Sequence, residues 1–163
     1  MMTIRSRIVL TLSLLAASTA ACDTDPATIL VGSAASSFAA GATFSTTPIR
    51  LTPLAGTRCV GGSAFGTSFH LLITTGVHDL RMDSATFQLI DGTHLGGPSV
   101  TIPSLEFATQ PTLLFIRAGT TRDFGLHADF GCFAGRPFSM RGNVFLFDGF
   151  GSRQTFTLES RIE

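Results

Sequence analysis

Hydrophobic and polar residues alternate with a period of two in much of the chain, most regularly between Phe124 and Cys132. One face of this segment would carry Phe124, Leu126, Ala128, Phe130 and Cys132. The other face would carry Gly125, His127, Asp129 and Gly131. Because successive side chains of a β-strand point to opposite faces, this pattern predicts a strand with one buried face. Cys132 is expected to point inward with the Phe residues.

Other short segments after Thr47 alternate in the same way or form short apolar runs. The predicted strands are residues 49–54, 68–74, 85–89, 100–102, 112–116, 124–132, 143–148 and 156–162. Turn-forming residues such as Asp91-Gly92 and Asp148-Gly149 separate them. Within residues 48–163 no stretch of ten or more residues has helical periodicity with caps. This pattern predicts an all-β domain of about seven or eight strands, an antiparallel β-sandwich with immunoglobulin-like architecture.

The N-terminal segment has a different pattern. Arg5 and Arg7 are followed by a run of about ten mainly apolar residues, from Ile8 to Ala17. A run of this length is typical of a signal peptide and is shorter than the roughly 20 residues of a transmembrane helix. Small residues then lead to Cys22. These features predict export from the cytoplasm.

The tripeptide Ala20-Ala21-Cys22 resembles the end of a bacterial lipoprotein signal. In that family the cysteine after the small residues is lipidated and becomes the first residue of the mature protein. The resemblance implies a signal peptide over residues 1–21, a lipid on Cys22, and anchoring to a membrane of the bacterial cell envelope, on its periplasmic or cell-surface side. The alternative is an ordinary secretory signal cut after Ala20 or Ala21, which would leave Cys22 as a free thiol.

Residues 23–47 are rich in Ala, Ser, Thr and Gly and have no clear period. Together with Cys22 they form a predicted tether, residues 22–47, between the lipid and the domain. The apolar residues Ile29, Leu30, Val31, Phe38 and Phe44 are more than a pure linker needs. Part of the stretch is therefore an alternative candidate for a strand docked on the domain.

Two cysteines remain, Cys59 and Cys132, and they are 73 residues apart. In an oxidising compartment this pair predicts one disulfide. The alternative is two buried free thiols. Residues 128–132 look loosely like the end of an immunoglobulin-type F strand, and with Cys132 facing inward the bond would join the two sheets. The chain has no Trp to pack on such a bond, and Phe130 stands where that family has a Tyr.

Composition argues against several functions. After residue 21 the chain has nine Arg and eleven Asp or Glu, a formal net charge of −2, and it contains no Lys. Without a basic cluster, nucleic-acid binding is not expected. Ser63 follows two glycines but lacks the last Gly of the Gly-x-Ser-x-Gly motif, and no nucleotide-binding loop is present. We therefore predict a non-enzymatic protein without a cofactor.

His127 and Asp129 are the best candidates for metal ligands, because they lie two residues apart and share one strand face. A solvated sheet face explains the same pattern. The sequence therefore predicts no metal site and keeps this pair as its weak candidate.

The segment Val144-Phe145-Leu146-Phe147 is apolar on both strand faces, and Phe150 follows it. Either a loop or the tether covers the second face, or Phe145, Phe147 and Phe150 form a patch that binds a partner. The sequence predicts a membrane-anchored lipoprotein that serves as an envelope interaction or structural module, with an envelope protein as a candidate partner. The alternative function is binding of a small ligand or a metal.

Overall fold

The computed structural model describes residues 40–93, 96–108 and 110–163. The predicted signal peptide, Cys22 and most of the predicted tether lie outside these residues, as does His94. The described chain forms nine β-strands and two short helices. The strands are β1 (Gly41–Phe44), β2 (Thr52–Pro53), β3 (Ser63–Thr74), β4 (Leu80–Asp91), β5 (Gly96–Pro103), β6 (Phe115–Ile116), β7 (Thr121–Phe133), β8 (Pro137–Asp148) and β9 (Arg153–Arg161).

The helices are α1 (Ser104–Phe107) and a 3₁₀ helix (Pro111–Leu114), of four residues each. Neither of these four-residue helices, the two that the described residues form, has the length of a membrane-spanning segment. The predicted all-β sandwich is confirmed.

The strands form two antiparallel sheets. In the first sheet β3 is central, with β7 along one side and β1 and β2 along the other. The second sheet has the order β5-β4-β8-β9, and β6 pairs with the first residues of β4 beyond the end of β5. The chain crosses between the sheets after β3, β6 and β7, so both sheets depend on strands distant in sequence.

Phenylalanine rings fill the space between the sheets. Phe69 of the first sheet and Phe87 of the second are fully buried, with ring centroids 4.8 Å apart in an edge-to-face arrangement. Phe44 of β1 packs edge-on against Phe69 at 5.5 Å. Such pairs add about 0.5–1.5 kcal/mol beyond the area they bury. The apolar faces predicted from the alternation therefore meet in one core.

The predicted alternation of β7 is confirmed as far as Phe130. Phe65 of β3 is opposite Phe130, but Ser63 is opposite Phe133, so two residues of β7 face one residue of β3. This β-bulge resets the alternation, and Phe133 takes the inward position expected for Cys132. The prediction that Cys132 points inward is wrong: its side chain is exposed.

The predicted disulfide between Cys59 and Cys132 is present, with Cα atoms 5.5 Å apart. Cys59 lies in the loop that leads into β3, the neighbour of β7 in the same sheet. The immunoglobulin-type comparison suggested a bond between the two sheets, and this prediction is wrong. The disulfide fastens the end of β7 to the loop before its partner strand.

Two predicted strands are wrong over most of their length. Residues 111–114 form the 3₁₀ helix, with Pro111 in its first turn, and only Phe115–Ile116 is extended. Pro has a fixed φ that suits the start of a helix, which outweighs the apolar run. In the other segment only Thr52–Pro53 is a strand, and Ile49 forms an isolated parallel bridge with Ile162.

β1 lies within the stretch predicted as a tether. Gly41 to Phe44 pair with Thr74 to Leu71 of β3, and the side chains of Ala42 and Phe44 are buried. For residues 41–44 the structure therefore shows the docked strand that was the alternative interpretation.

Candidate functional site

Phenylalanine and arginine side chains alternate across the outer face of the second sheet. Arg81 of β4 is opposite Phe115 of β6 on one side and Phe147 of β8 on the other. Phe147 is in turn opposite Arg153 of β9. Residues directly opposite each other in antiparallel strands project to the same face. We call these four residues, together with the neighbouring Phe145, the Phe–Arg surface.

The arginines lie over the rings. The guanidinium carbon of Arg153 is 4.1 Å from the ring centroid of Phe145, and that of Arg81 is 5.7 Å from the centroid of Phe147. Both rings are half-buried. A cation over an aromatic face contributes about 0.5–1 kcal/mol at an exposed site. The apolar outer positions of β8 are thus partly covered by arginines, in a way that neither sequence alternative foresaw.

Within residues 40–93, 96–108 and 110–163, no carboxylate neutralises either guanidinium. Arg81 and Arg153 form no ion pair with any carboxylate of the described residues. Phe115 is exposed at the edge of the surface. The Phe–Arg surface therefore offers exposed aromatic area together with two positive charges.

Phe150, the third residue of the predicted patch, lies apart from Phe145 and Phe147. It occupies the turn between β8 and β9 and is 81% exposed. Its ring stands edge-on to the ring of His78 at 5.7 Å. The carboxylate of Asp148 accepts hydrogen bonds from the backbone N–H groups of Phe150 and Ser152, at 2.9 and 2.8 Å, which fixes the turn.

The rest of the same sheet face is polar. Hydrogen-bonded side-chain pairs cover it, and these are Thr86–Thr101, Thr157–Asn143 and Arg141–Glu159. The aromatic and cationic side chains are therefore gathered at the end of the face next to the β8–β9 turn.

The structure places His127 and Asp129 together on the outer face of the first sheet. Nε2 of His127 is 2.9 Å from Oδ1 of Asp129, and its Nδ1 is 3.0 Å from Oγ of Ser68. Both ring nitrogens are thus engaged. Among the described residues no group of three or more His, Cys, Asp or Glu could hold a metal ion. The geometry of the pair fits a solvated sheet face.

A serine, a histidine and an aspartate in line invite comparison with a hydrolytic triad, but the setting does not suit catalysis. Ser68, His127 and Asp129 are all exposed on an open sheet. The N–H groups of a strand lie in the plane of its sheet, so they cannot point at an oxyanion above the face. A second pair, His70 and Asp123 at 2.9 Å, continues the same polar strip.

A shallow cleft of about 340 Å³ lies beside α1 and the start of β7. Leu105 and Leu113 form its apolar rim, and both are exposed. Arg122 and Asp123 line the opposite side. The cleft therefore combines apolar side chains with one cation, Arg122, and two carboxylates, Glu106 and Asp123.

Sequence reasoning identified Phe145, Phe147 and Phe150 but missed Arg81, Arg153 and Phe115. The sequence does not show the strand register that brings these three residues close to Phe147 of β8. Arg81 and Phe115 belong to β4 and β6, which are distant from β8 in sequence, and Arg153 belongs to β9, which follows β8 after a turn. A weak signal did exist for two of them: Arg81 and Phe115 are at outward positions between buried apolar residues.

No protein-family model matches the chain, and no curated protein sequence matches it significantly. Solved structures similar to it include a protein provisionally assigned as ApaA from Bordetella pertussis, with 16% identity, TM-score 0.48, and coverage of 74% of this chain and 89% of that one. Another is a structural genomics target, with 11% identity, TM-score 0.47, and coverage of 76% and 83%. A Niemann-Pick type C2 protein from Japanese carpenter ant has 8% identity, TM-score 0.27, and coverage of 71% and 92%.

Proposed function

We propose that this protein is an exported lipoprotein of the bacterial cell envelope, anchored to a membrane through a lipid on Cys22. Its β-sandwich acts as a non-enzymatic interaction module. The signal-like residues 1–22 support export and lipidation. The bond between Cys59 and Cys132 supports an oxidising compartment, because disulfides persist outside the cytosol and are rare within it.

The observation that carries the interaction role is the Phe–Arg surface. Aromatic residues and arginine are enriched at the centres of protein interfaces, while Lys, Glu and Asp are depleted there. A partner that covers Phe115 and Phe147 removes apolar area from water. Since no carboxylate in the described part of the chain pairs with Arg81 or Arg153, the partner that fits best is an envelope protein presenting acidic side chains.

Site-specific cross-linking in living cells tests this role. A photoreactive residue replaces Phe147, and a matched control replaces His127 on the opposite face of the domain. We expect Phe147 to capture one envelope protein, and Arg153→Ser in the same chain to reduce that capture severalfold. Equal capture at both positions, or no loss with Arg153→Ser, would contradict the proposal. Thermal unfolding shows that each variant is folded.

The cleft beside α1 favours a second candidate function, binding of a small ligand. An apolar molecule with a polar group would pack on Leu105 and Leu113 and meet the charged side chains of Glu106, Arg122 and Asp123. Native mass spectrometry of protein purified from its own membranes would then show a bound molecule, which Leu113→Trp would displace by filling the cleft. Protein that carries no small molecule would contradict this candidate.

A further inference from the structure

The chain enters the sandwich at one particular end. Gly41, the first residue of β1, is opposite Thr74, the last residue of β3, which is itself opposite Thr121 at the start of β7. In the second sheet the same end holds Leu80 opposite both Ile116 and Asp148. We call this the tether end. It consists of the first residues of β1, the last residues of β6 and β8, and the loops 75–79, 117–120 and 149–152.

The tether end bears exposed apolar side chains on two neighbouring loops. Val77 and Phe150 are 56% and 81% exposed, and the ring contact between His78 and Phe150 holds the two loops side by side. Asp148 fixes the turn that carries Phe150. The backbone of this turn therefore loses no further conformational entropy when the exposed ring of Phe150 contacts another surface.

The charge around these loops is positive by one unit, because four arginines stand against three carboxylates, those of Asp79, Asp123 and Asp148. Four arginines lie at or next to the tether end, and none forms an ion pair within the described residues: Arg81, Arg117, Arg122 and Arg153. The carboxylates of Asp79, in the first of these loops, and of Asp148, the last residue of β8, are turned toward backbone amides. Asp79 accepts a hydrogen bond from the N–H of Ala118 at 2.7 Å, and Asp148 caps the β8–β9 turn. Arg81, Arg122 and Arg153 lie over Phe rings, whereas Arg117 is exposed in the loop 117–120. Apolar tips beside this net positive charge are complementary to an anionic phospholipid surface.

The length of chain between the lipid site and the domain also supports a membrane surface as the binding partner of the tether end. Eighteen residues separate Cys22 from Gly41. Lipidation at Cys22 would therefore hold the tether end, rather than the opposite end, close to the membrane.

We propose that the tether end docks directly on the anionic phospholipid surface of the membrane that holds the lipid anchor, with Phe150 and Val77 inserted between headgroups and Arg117 against phosphates. In this orientation of the domain, the Phe–Arg surface lies beside the membrane and is accessible to a partner in the same membrane. This proposal rests on the proposed lipid anchoring.

The test uses the mature chain, residues 22–163, with Cys22→Ser, so that no acyl group contributes to binding. Its binding is measured by co-flotation with vesicles of phosphatidylglycerol and phosphatidylcholine, and with vesicles of phosphatidylcholine alone. We expect binding to the anionic vesicles that high salt weakens. Val77→Ser with Phe150→Ser should weaken it about tenfold, and Arg117→Glu about fivefold or more.

The opposite end of the sandwich provides matched controls. Val60 is fully exposed in the loop before β3, and Arg136 is exposed in the turn between β7 and β8. Val60→Ser and Arg136→Glu should leave vesicle binding unchanged. Equal losses from both ends, or no binding to anionic vesicles, would overturn the proposal. A photoreactive residue at position 150 in cells should add the mass of a phospholipid, and capture of a protein there would overturn it as well.

The proposed lipid anchor and the proposed docking of the tether end are tested by separate measurements. The mass of the native protein reports lipidation of Cys22, whereas the Cys22→Ser chain reports docking by the tether end alone. Vesicle binding without native lipidation would refute the proposed anchor only. Lipidation without vesicle binding would refute the docking only.

Discussion

Gly142 illustrates how closely single residues are fitted within the second sheet. A Cβ atom built on it would lie 2.9 Å from the ring of Phe87 and 3.2 Å from the side chain of Leu158. Phe87 is fully buried and Leu158 nearly so, which leaves neither much room to move. Glycine at this position is therefore required by the packing of its neighbours.

We predict that Gly142→Ala lowers the free energy of unfolding by about 1–3 kcal/mol, because the added methyl group overpacks the core. Urea unfolding followed by circular dichroism measures the change. Gly149→Ala is the matched control, since nothing lies within 4 Å of a Cβ atom there. If Gly142→Ala lowers the free energy of unfolding no more than the control does, Phe87 can move to accommodate the added methyl group.

The direction of single side chains was predictable where a strand is regular. The alternation in β7 correctly assigned Phe124 and Phe130 to the core and His127 to the outside. It failed at Cys132, because a bulge depends on how β7 pairs with β3 and leaves no mark in the β7 sequence alone. For the same reason Arg81 and Arg153 could not be placed beside Phe147 in advance.

At the scale of elements, β1 shows where composition misleads. A four-residue segment with alternating apolar residues gives only a weak strand signal beside a long Ala- and Ser-rich stretch. Its sheet position is secured by pairing with β3 and by the burial of Ala42 and Phe44. Tertiary contacts therefore decide the structure of a segment whose local preference is slight.

We predict that Phe44→Ala lowers the free energy of unfolding by about 3–5 kcal/mol, since it removes a buried ring in contact with Phe69 and Phe87. Ser45→Ala, at the exposed next position, should change it by no more than about 0.5 kcal/mol. Denaturant unfolding of both variants makes the comparison. A small effect of Phe44→Ala would mean that β1 is dispensable and that the domain begins after it.

The disulfide belongs to the same scale, because it fastens one strand to the loop before another. The double variant Cys59→Ser with Cys132→Ser should lose about 2–4 kcal/mol of stability, since the bond closes a separation of 73 residues in the unfolded chain. Unfolding of the oxidised protein with and without a reductant is an independent measure. Cys22→Ser alone should have no effect, and equal stability of the double variant and the parent would contradict the expected role of the bond.

At the scale of the whole molecule, the fold class followed from the sequence, but the arrangement of surfaces did not. Short alternating segments and frequent turns were sufficient to predict two packed antiparallel sheets. Which loops share an end with β1 depends on the crossings between the sheets, and this brings Phe150 and Arg117 to the side where the chain enters. The candidate surfaces are therefore products of topology.

The central claim is that this sandwich works outside the cytoplasm, held to a membrane by a lipid. The most direct measurement is the intact mass of the protein purified from its native membranes, before and after reduction. We predict the mass of residues 22–163 plus acyl groups on Cys22, with a gain of two hydrogens on reduction of the Cys59–Cys132 bond. A full-length mass that retains residues 1–21, with both thiols already reduced, would contradict the claim.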